Sequence, residues 1–153
     1  MLANEFPKAS GHLKIVLKDK DGNVKEEREV TNLIVNTGLA YIISRIVGTS
    51  KAVMSHMALG SSTTAAAAGQ TDLVSILGSR VALTSTSISG TNNEKVVYVA
   101  TFGAGAATGA VTEAGVFNAS TSGDMLCRTV FPVVNKSADD TLGITWTITQ
   151  AAS

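Results

Sequence analysis

In Leu142-Gly143-Ile144-Thr145-Trp146-Thr147-Ile148-Thr149, large apolar side chains occupy positions 142, 144, 146 and 148, while threonines occupy 145, 147 and 149. A period of two marks a β-strand with one buried face, because successive side chains leave a pleated backbone on opposite sides. The β-branched threonines favour the same extended backbone. Trp146 on the apolar face is expected in the core.

The same alternation recurs upstream. In Lys95–Phe102, Val96, Tyr98, Ala100 and Phe102 share one face and Val97 and Val99 the other. A strand apolar on both faces belongs inside a sheet. Leu13, Ile15 and Leu17 alternate with His12, Lys14 and Lys18. The turn Asp19-Lys20-Asp21-Gly22-Asn23 then leads to a return strand, 24–30, with Lys25, Glu27 and Glu29 on one face. Further strands are expected at 54–60, 81–88, 111–118 and 125–130. Residues 61–70 read as a small-residue loop, Asp72–Leu77 as a single helical turn, and Gly103–Gly109 as a strand connector.

One segment has helical periodicity. Leu39, Ile42, Ile43 and Ile46 recur at i, i+3, i+4 and i+7, which predicts a helix over Asn36–Val47 with this stripe toward the core. Asn36 or Thr37 is the expected cap, Arg45 complements the C-terminal dipole, and Gly48 ends the helix. Turn signals between about eight strands suggest a β-sandwich or a barrel, and the expected fold is all-β, a β-sandwich (jelly-roll-like) with one short α-helix. Residues 11–153 form a single domain, and residues 1–10 an N-terminal arm whose Leu2, Phe6 and Pro7 are candidate interface residues.

The composition narrows the function. The chain has 153 residues, 44% of them hydrophobic, enough for a core without metals or cross-links. Cys127 is the single cysteine, which makes an intrachain disulfide impossible and suits a small buried apolar role. No apolar run approaches the roughly 18 residues needed to span a bilayer, and the first residues do not read as a secretory leader. Net charge is zero, which argues against a phosphate-neutralising nucleic-acid surface. The distribution is uneven: residues 1–51 carry fourteen charged side chains and residues 52–153 only ten. A surface of Ala, Ser, Thr, Gly and Val suits a subunit that packs against copies or neighbours.

Catalytic and metal patterns are not evident. Gly103-Ala104-Gly105-Ala106-Ala107-Thr108-Gly109 places its last glycine one residue late for a dinucleotide loop, and no helix pattern follows. Asp19-x-Asp21-Gly22 begins like a calcium loop, but its twelfth position is Val30. His12 reads as a strand-face residue and His56 as a packed one. The adjacent Asp139 and Asp140 would point to opposite faces of a strand and suit a turn. Asn118-Ala119-Ser120 and Asn135-Lys136-Ser137 match glycosylation acceptors, which matter only on a secretory route. No enzyme activity, cofactor or metal is expected.

Five segments carry a resemblance: Val30–Gly38, Met54–Gly60, Thr112–Asn118, Met125–Phe131 and Leu142–Thr149. In this order they resemble small structural proteins of tailed bacteriophages. The resemblance implies a virion protein made in the host bacterial cytoplasm. The expected role is a capsid decoration (cement) protein, a homotrimer binding across neighbouring major capsid protein subunits. Thr112–Asn118 is also similar to segments of tail-fibre and baseplate proteins, so the alternative is a tail-associated structural protein with a receptor-binding role.

Overall fold

A computed structural model describes residues 8–151. They form nine strands and one helix: β1 (Lys8–Lys18), β2 (Val24–Ile34), α1 (Asn36–Ile46), β3 (His56–Gly60), β4 (Val81–Ala82), β5 (Ser85–Ser89), β6 (Lys95–Phe102), β7 (Gly109–Phe117), β8 (Met125–Lys136) and β9 (Thr141–Ala151). The architecture is all-β with one short helix, as expected, with nine strands where about eight were read. The strands lie in one curled antiparallel sheet of order β4-β3-β7-β8-β2-β1-β9-β6-β5.

The curl divides the sheet into two halves. In the first, β1 pairs with both β2 and β9, and β6 pairs with β9 and β5. In the second, β7 pairs with β3 and β8, and β3 pairs with β4. The ladder that joins the halves is short, with Leu33 and Ile34 at the end of β2 paired with Arg128 and Cys127 of β8. Hairpin pairs alternate between halves: β1–β2, then β3–β4, then β5–β6, then β7–β8, with β9 returning to the first. This winding is consistent with the all-β expectation. Short connections such as Asp19–Asn23 keep the two strands of a hairpin side by side.

Inner faces from both halves meet in one core. β1 contributes Leu13, Ile15 and Leu17, β6 Tyr98, Ala100 and Phe102, and β9 Leu142, Ile144, Trp146 and Ile148. From the other half come Met57 and Leu59, Val111, Ala114 and Val116, and Leu126 and Phe131. The apolar positions read from the alternation at 13–17, 96–102 and 142–148 thus face inward. Trp146 is fully buried, and its Nε1 donates to Asn32 Oδ1 at 2.9 Å.

Four boundaries differ from the sequence reading. Lys8, Ala9 and Ser10, placed in the arm, belong to β1, where they pair with Ala151, Gln150 and Thr149. The strand expected over 81–88 is two strands on opposite margins of the sheet. Leu83 N–H donates to Ser55 O in the second half, and Thr84 N–H donates to Val99 O in the first. The two margins are thus bridged by adjacent residues. Asp72–Leu77 is not a helical turn; Ile76 makes an isolated bridge to Gly60. β8 runs on past Val130 to Lys136, through Pro132. It does so where the register with β7 shifts and β2 no longer pairs, so no ladder bond is lost to the missing N–H.

The helix is where expected but turned. Gly38 and Tyr41 are its buried residues, while Leu39, Ile43 and Ile46 are exposed, Ile46 by 75%. The reason is close approach: a Cβ on Gly38 would lie 2.0 Å from the Leu126 carbonyl oxygen. Only glycine lets the helix backbone sit this near β8, and the contact fixes which side faces the sheet. The cap also differs. Val35 holds the N-cap position without a side-chain bond, and Thr37 Oγ1 donates to Met125 O across to β8. Arg45 lies in the last turn, bonding Lys51 O, and Gly48 follows the C-cap at φ +71°, as the sequence suggested.

Candidate docking surface

A buried charge pair organises one side of the molecule. Glu113 on β7 and Arg128 on β8 are fully buried, with Arg128 Nη2 and Nε at 2.7 and 2.9 Å from Glu113 Oε2. The carboxylate also accepts N–H bonds from Ser62, Val74 and Ser75. Arg128 Nη1 donates to Thr64 O and Gln70 Oε1. Every one of these outer partners lies in residues 61–80. The pair therefore pins that long loop over the outer face of β3, β7 and β8, and each charge is compensated as burial demands.

Apolar contacts complete the cover. Leu73 joins Val35, Ala58, Phe117 and Met125 in a second small core beneath the loop. The Arg80 guanidinium stacks 3.5 Å above the Phe117 ring and donates to Ala119 O and Ser122 O. Gly60 is required here, since a Cβ would fall 2.4 Å from Glu113 Oε1. β7 is consequently buried on both faces.

Folding makes the charge-poor part of the chain poorer still. Of the ten charged side chains after residue 51, Glu113, Arg128, Lys136 and Asp140 are buried. Arg80 is held flat, with its side chain 5% exposed. Asp72, Glu94, Lys95, Asp124 and Asp139 are left as the charges this region presents to water. Among them stand exposed Val53, Val74, Ile76, Ile88 and Val133. A surface of this kind is suited to burial against another protein more than to a freely diffusing monomer.

One concave apolar feature lies in the first half. A groove of about 780 Å³ opens between α1, through Ile42, Ile43 and Ile46, and the β5–β6 hairpin, through Ile88 and Val96. Ile148 and Gln150 of β9 also line it, and Asn93, Glu94 and Lys95 stand at the hairpin end. Ile43 and Ile46, exposed on α1, form part of its wall. It has the aliphatic lining of a seat for an apolar side chain or peptide segment.

Leu2, Phe6 and Pro7, the interface residues expected from sequence, lie outside the described residues. Cys127 is fully buried and burial pushes its thiol well up, which removes nucleophilic character. His12 is exposed on the strand face, and His56 is half-buried with Nδ1 2.8 Å from Ser55 Oγ. Gly103–Gly109 is a turn between β6 and β7, fixed by Gly105 N–H to Ala138 O and by Lys136 Nζ to Gly103 O. Asp139 and Asp140 lie in the turn before β9. Asp140 accepts from Lys25 Nζ at 2.8 Å and from Ser137 N–H, and these bonds hold its carboxyl below the usual range. Among the described residues, no group of three or more His, Cys, Asp and Glu is gathered to hold a metal, and no helix is long and apolar enough to cross a membrane.

Sequence reasoning missed the Glu113–Arg128 pair. The available signal was a single charge set within each of two apolar runs, Val111–Phe117 and Met125–Phe131. No family model, curated protein or solved structure matches the chain.

Proposed function

We propose that this chain is a non-catalytic structural subunit of a bacteriophage particle that works by packing against neighbouring proteins. The observation that carries the reading is the surface of residues 52–151, from which folding removes half of an already sparse set of charges. Such a surface costs little to desolvate. Each apolar square ångström removed from water contributes about 25 cal/mol before association costs. Many copies acting together then gain from multivalency.

The finer proposal is a capsid decoration protein, a homotrimer seated across major capsid protein subunits, and it draws on the resemblance of the five segments quoted above. The test is location and number. Particles assembled in cells expressing the tagged chain are purified, stained quantitatively and imaged. Hundreds of copies on the head are expected. A few copies at the tail would support the tail-associated alternative and overturn the decoration role. Absence from particles would overturn the virion role altogether.

A further inference from the structure

We propose that the free edge of β5 is a docking site for the β5 of a second copy of this chain, the two strands running antiparallel about a two-fold axis at Ser87 and joining two sheets into one. The proposal does not depend on the virion role, and its two-fold contact is separate from the contacts of a trimer.

Three observations carry it. The first is an open and unguarded edge. β5 ends the sheet order, pairs with β6, and has all five residues exposed. A free edge is a template for another chain, and natural edges are blunted by charge, proline, a bulge or brevity. β4, at the other end of the sheet, has two residues, whereas β5 is Ser85-Thr86-Ser87-Ile88-Ser89, without charge or proline. The second is hydrogen-bond phase. Gln150 N–H donates to Glu94 O, and the same register continues through Val96 opposite Ile148 and Tyr98 opposite Trp146. Bonded and non-bonded pairs alternate along an antiparallel ladder. Lys95, Val97 and Val99 therefore turn their backbone groups toward β5, opposite Ser89, Ser87 and Ser85. Thr86 and Ile88 are left directing N–H and C=O outward, and no backbone bond from elsewhere among the described residues reaches them.

The third is self-complementarity. Read in reverse, β5 keeps serine at its first, middle and last positions. Centring on Ser87 pairs all five residues, Ser85 with the partner's Ser89, Thr86 with the partner's Ile88, and Ser87 with the partner's Ser87. This register sets the outward groups of Thr86 against those of the partner's Ile88, and the reverse, so both bonded exchanges are completed. Small serines meet on one face. On the other, the two Ile88 side chains, each 71% exposed, stand diagonally across the axis within reach of each other. No charge on either strand opposes the approach.

The experiment uses the full chain and single cysteine substitutions along β5. The native Cys127 is buried and does not compete. Ser87 and the partner's Ser87 form a non-bonded pair, with Cα atoms about 4.5 Å apart, within disulfide reach. Under mild oxidation Ser87→Cys should link to itself, and Ser85→Cys should link to Ser89→Cys in a mixture while neither links to itself alone. A five-residue edge buries little area, so the sedimentation mass of the unmodified chain should rise with protein concentration. Ile88→Lys and Thr86→Lys should each halve the mass of the paired species, with circular dichroism and Trp146 fluorescence unchanged. Self-linking of Ser85→Cys or Ser89→Cys as fast as that of Ser87→Cys overturns the proposal. So does a mass that the two lysine variants leave unaltered. A mass that does not rise with concentration also overturns it, and makes a strand of another protein the occupant of the edge.

Discussion

A carboxylate and a guanidinium shut away from water are stable only while each keeps the other. Removing one partner from such a pair costs about 3–5 kcal/mol, because the remaining charge is left buried. Glu113→Ala and Arg128→Met should each lose stability of that order in urea denaturation, and amide exchange should quicken first in residues 61–80, whose N–H groups Glu113 accepts. The double change Glu113→Leu with Arg128→Met should lose less than either single change, since no charge is stranded. Asp140 gives a pH dependence. Its folded carboxyl is held low by Lys25 and Ser137. Its stabilising contribution is therefore present above the unfolded carboxylate value, about 3.9, and is lost as pH falls through the lower folded value. Melting temperature should drop on acidification below about pH 4, and Asp140→Asn should flatten that part of the curve while lowering stability at neutral pH.

At the scale of elements, α1 is docked by what it lacks. Gly38→Ala forces a methyl against the Leu126 carbonyl, so the helix must lift from β8, at a cost of about 1–3 kcal/mol by analogy with overpacked cores. Tyr41, on the docked side, should cost about 3–5 kcal/mol on truncation to alanine, as large aromatic core residues do. Leu39 is on the outward side and outside the groove, so Leu39→Ser should stay within about 0.5 kcal/mol. Chemical denaturation of the three variants distinguishes this orientation from the core-facing stripe that periodicity alone suggests, for which Leu39 would be the costly position.

Across the whole molecule, the first and last strands are neighbours in the middle of the sheet: β9 lies between β1 and β6 and pairs with both along their length. Folding therefore waits on contacts between strands far apart in sequence. Refolding followed by Trp146 fluorescence should take milliseconds to seconds, the range of sheets dominated by distant pairings. A chain ending at Asp140 should lack cooperative structure by circular dichroism and calorimetry, because β1 and β6 lose their shared partner and the core loses Leu142, Ile144, Trp146 and Ile148. The sparse charge of residues 52–151 belongs to this scale too. Folding buries Glu113, Arg128, Lys136 and Asp140 and covers the Arg80 side chain, and only folding revealed that Glu113 and Arg128 pair with each other inside.

Strand content, the Asp19–Asn23 turn, the position of α1 and the inward set of β1, β6 and β9 were legible in residue order. These depend on local periodicity and turn chemistry, which act over a few residues. The tertiary structure alone decided three things. It determined which side of α1 meets the sheet, because the Gly38 contact overrides an isoleucine stripe. It split 81–89 between two margins of the sheet, because a curled sheet brings distant edges within two residues of each other. And it placed residues 61–80 over β7, because a buried ion pair depends on groups supplied from across the fold. An alternating pattern records which side of a strand is apolar; what comes to cover that side depends on contacts between residues far apart in the chain.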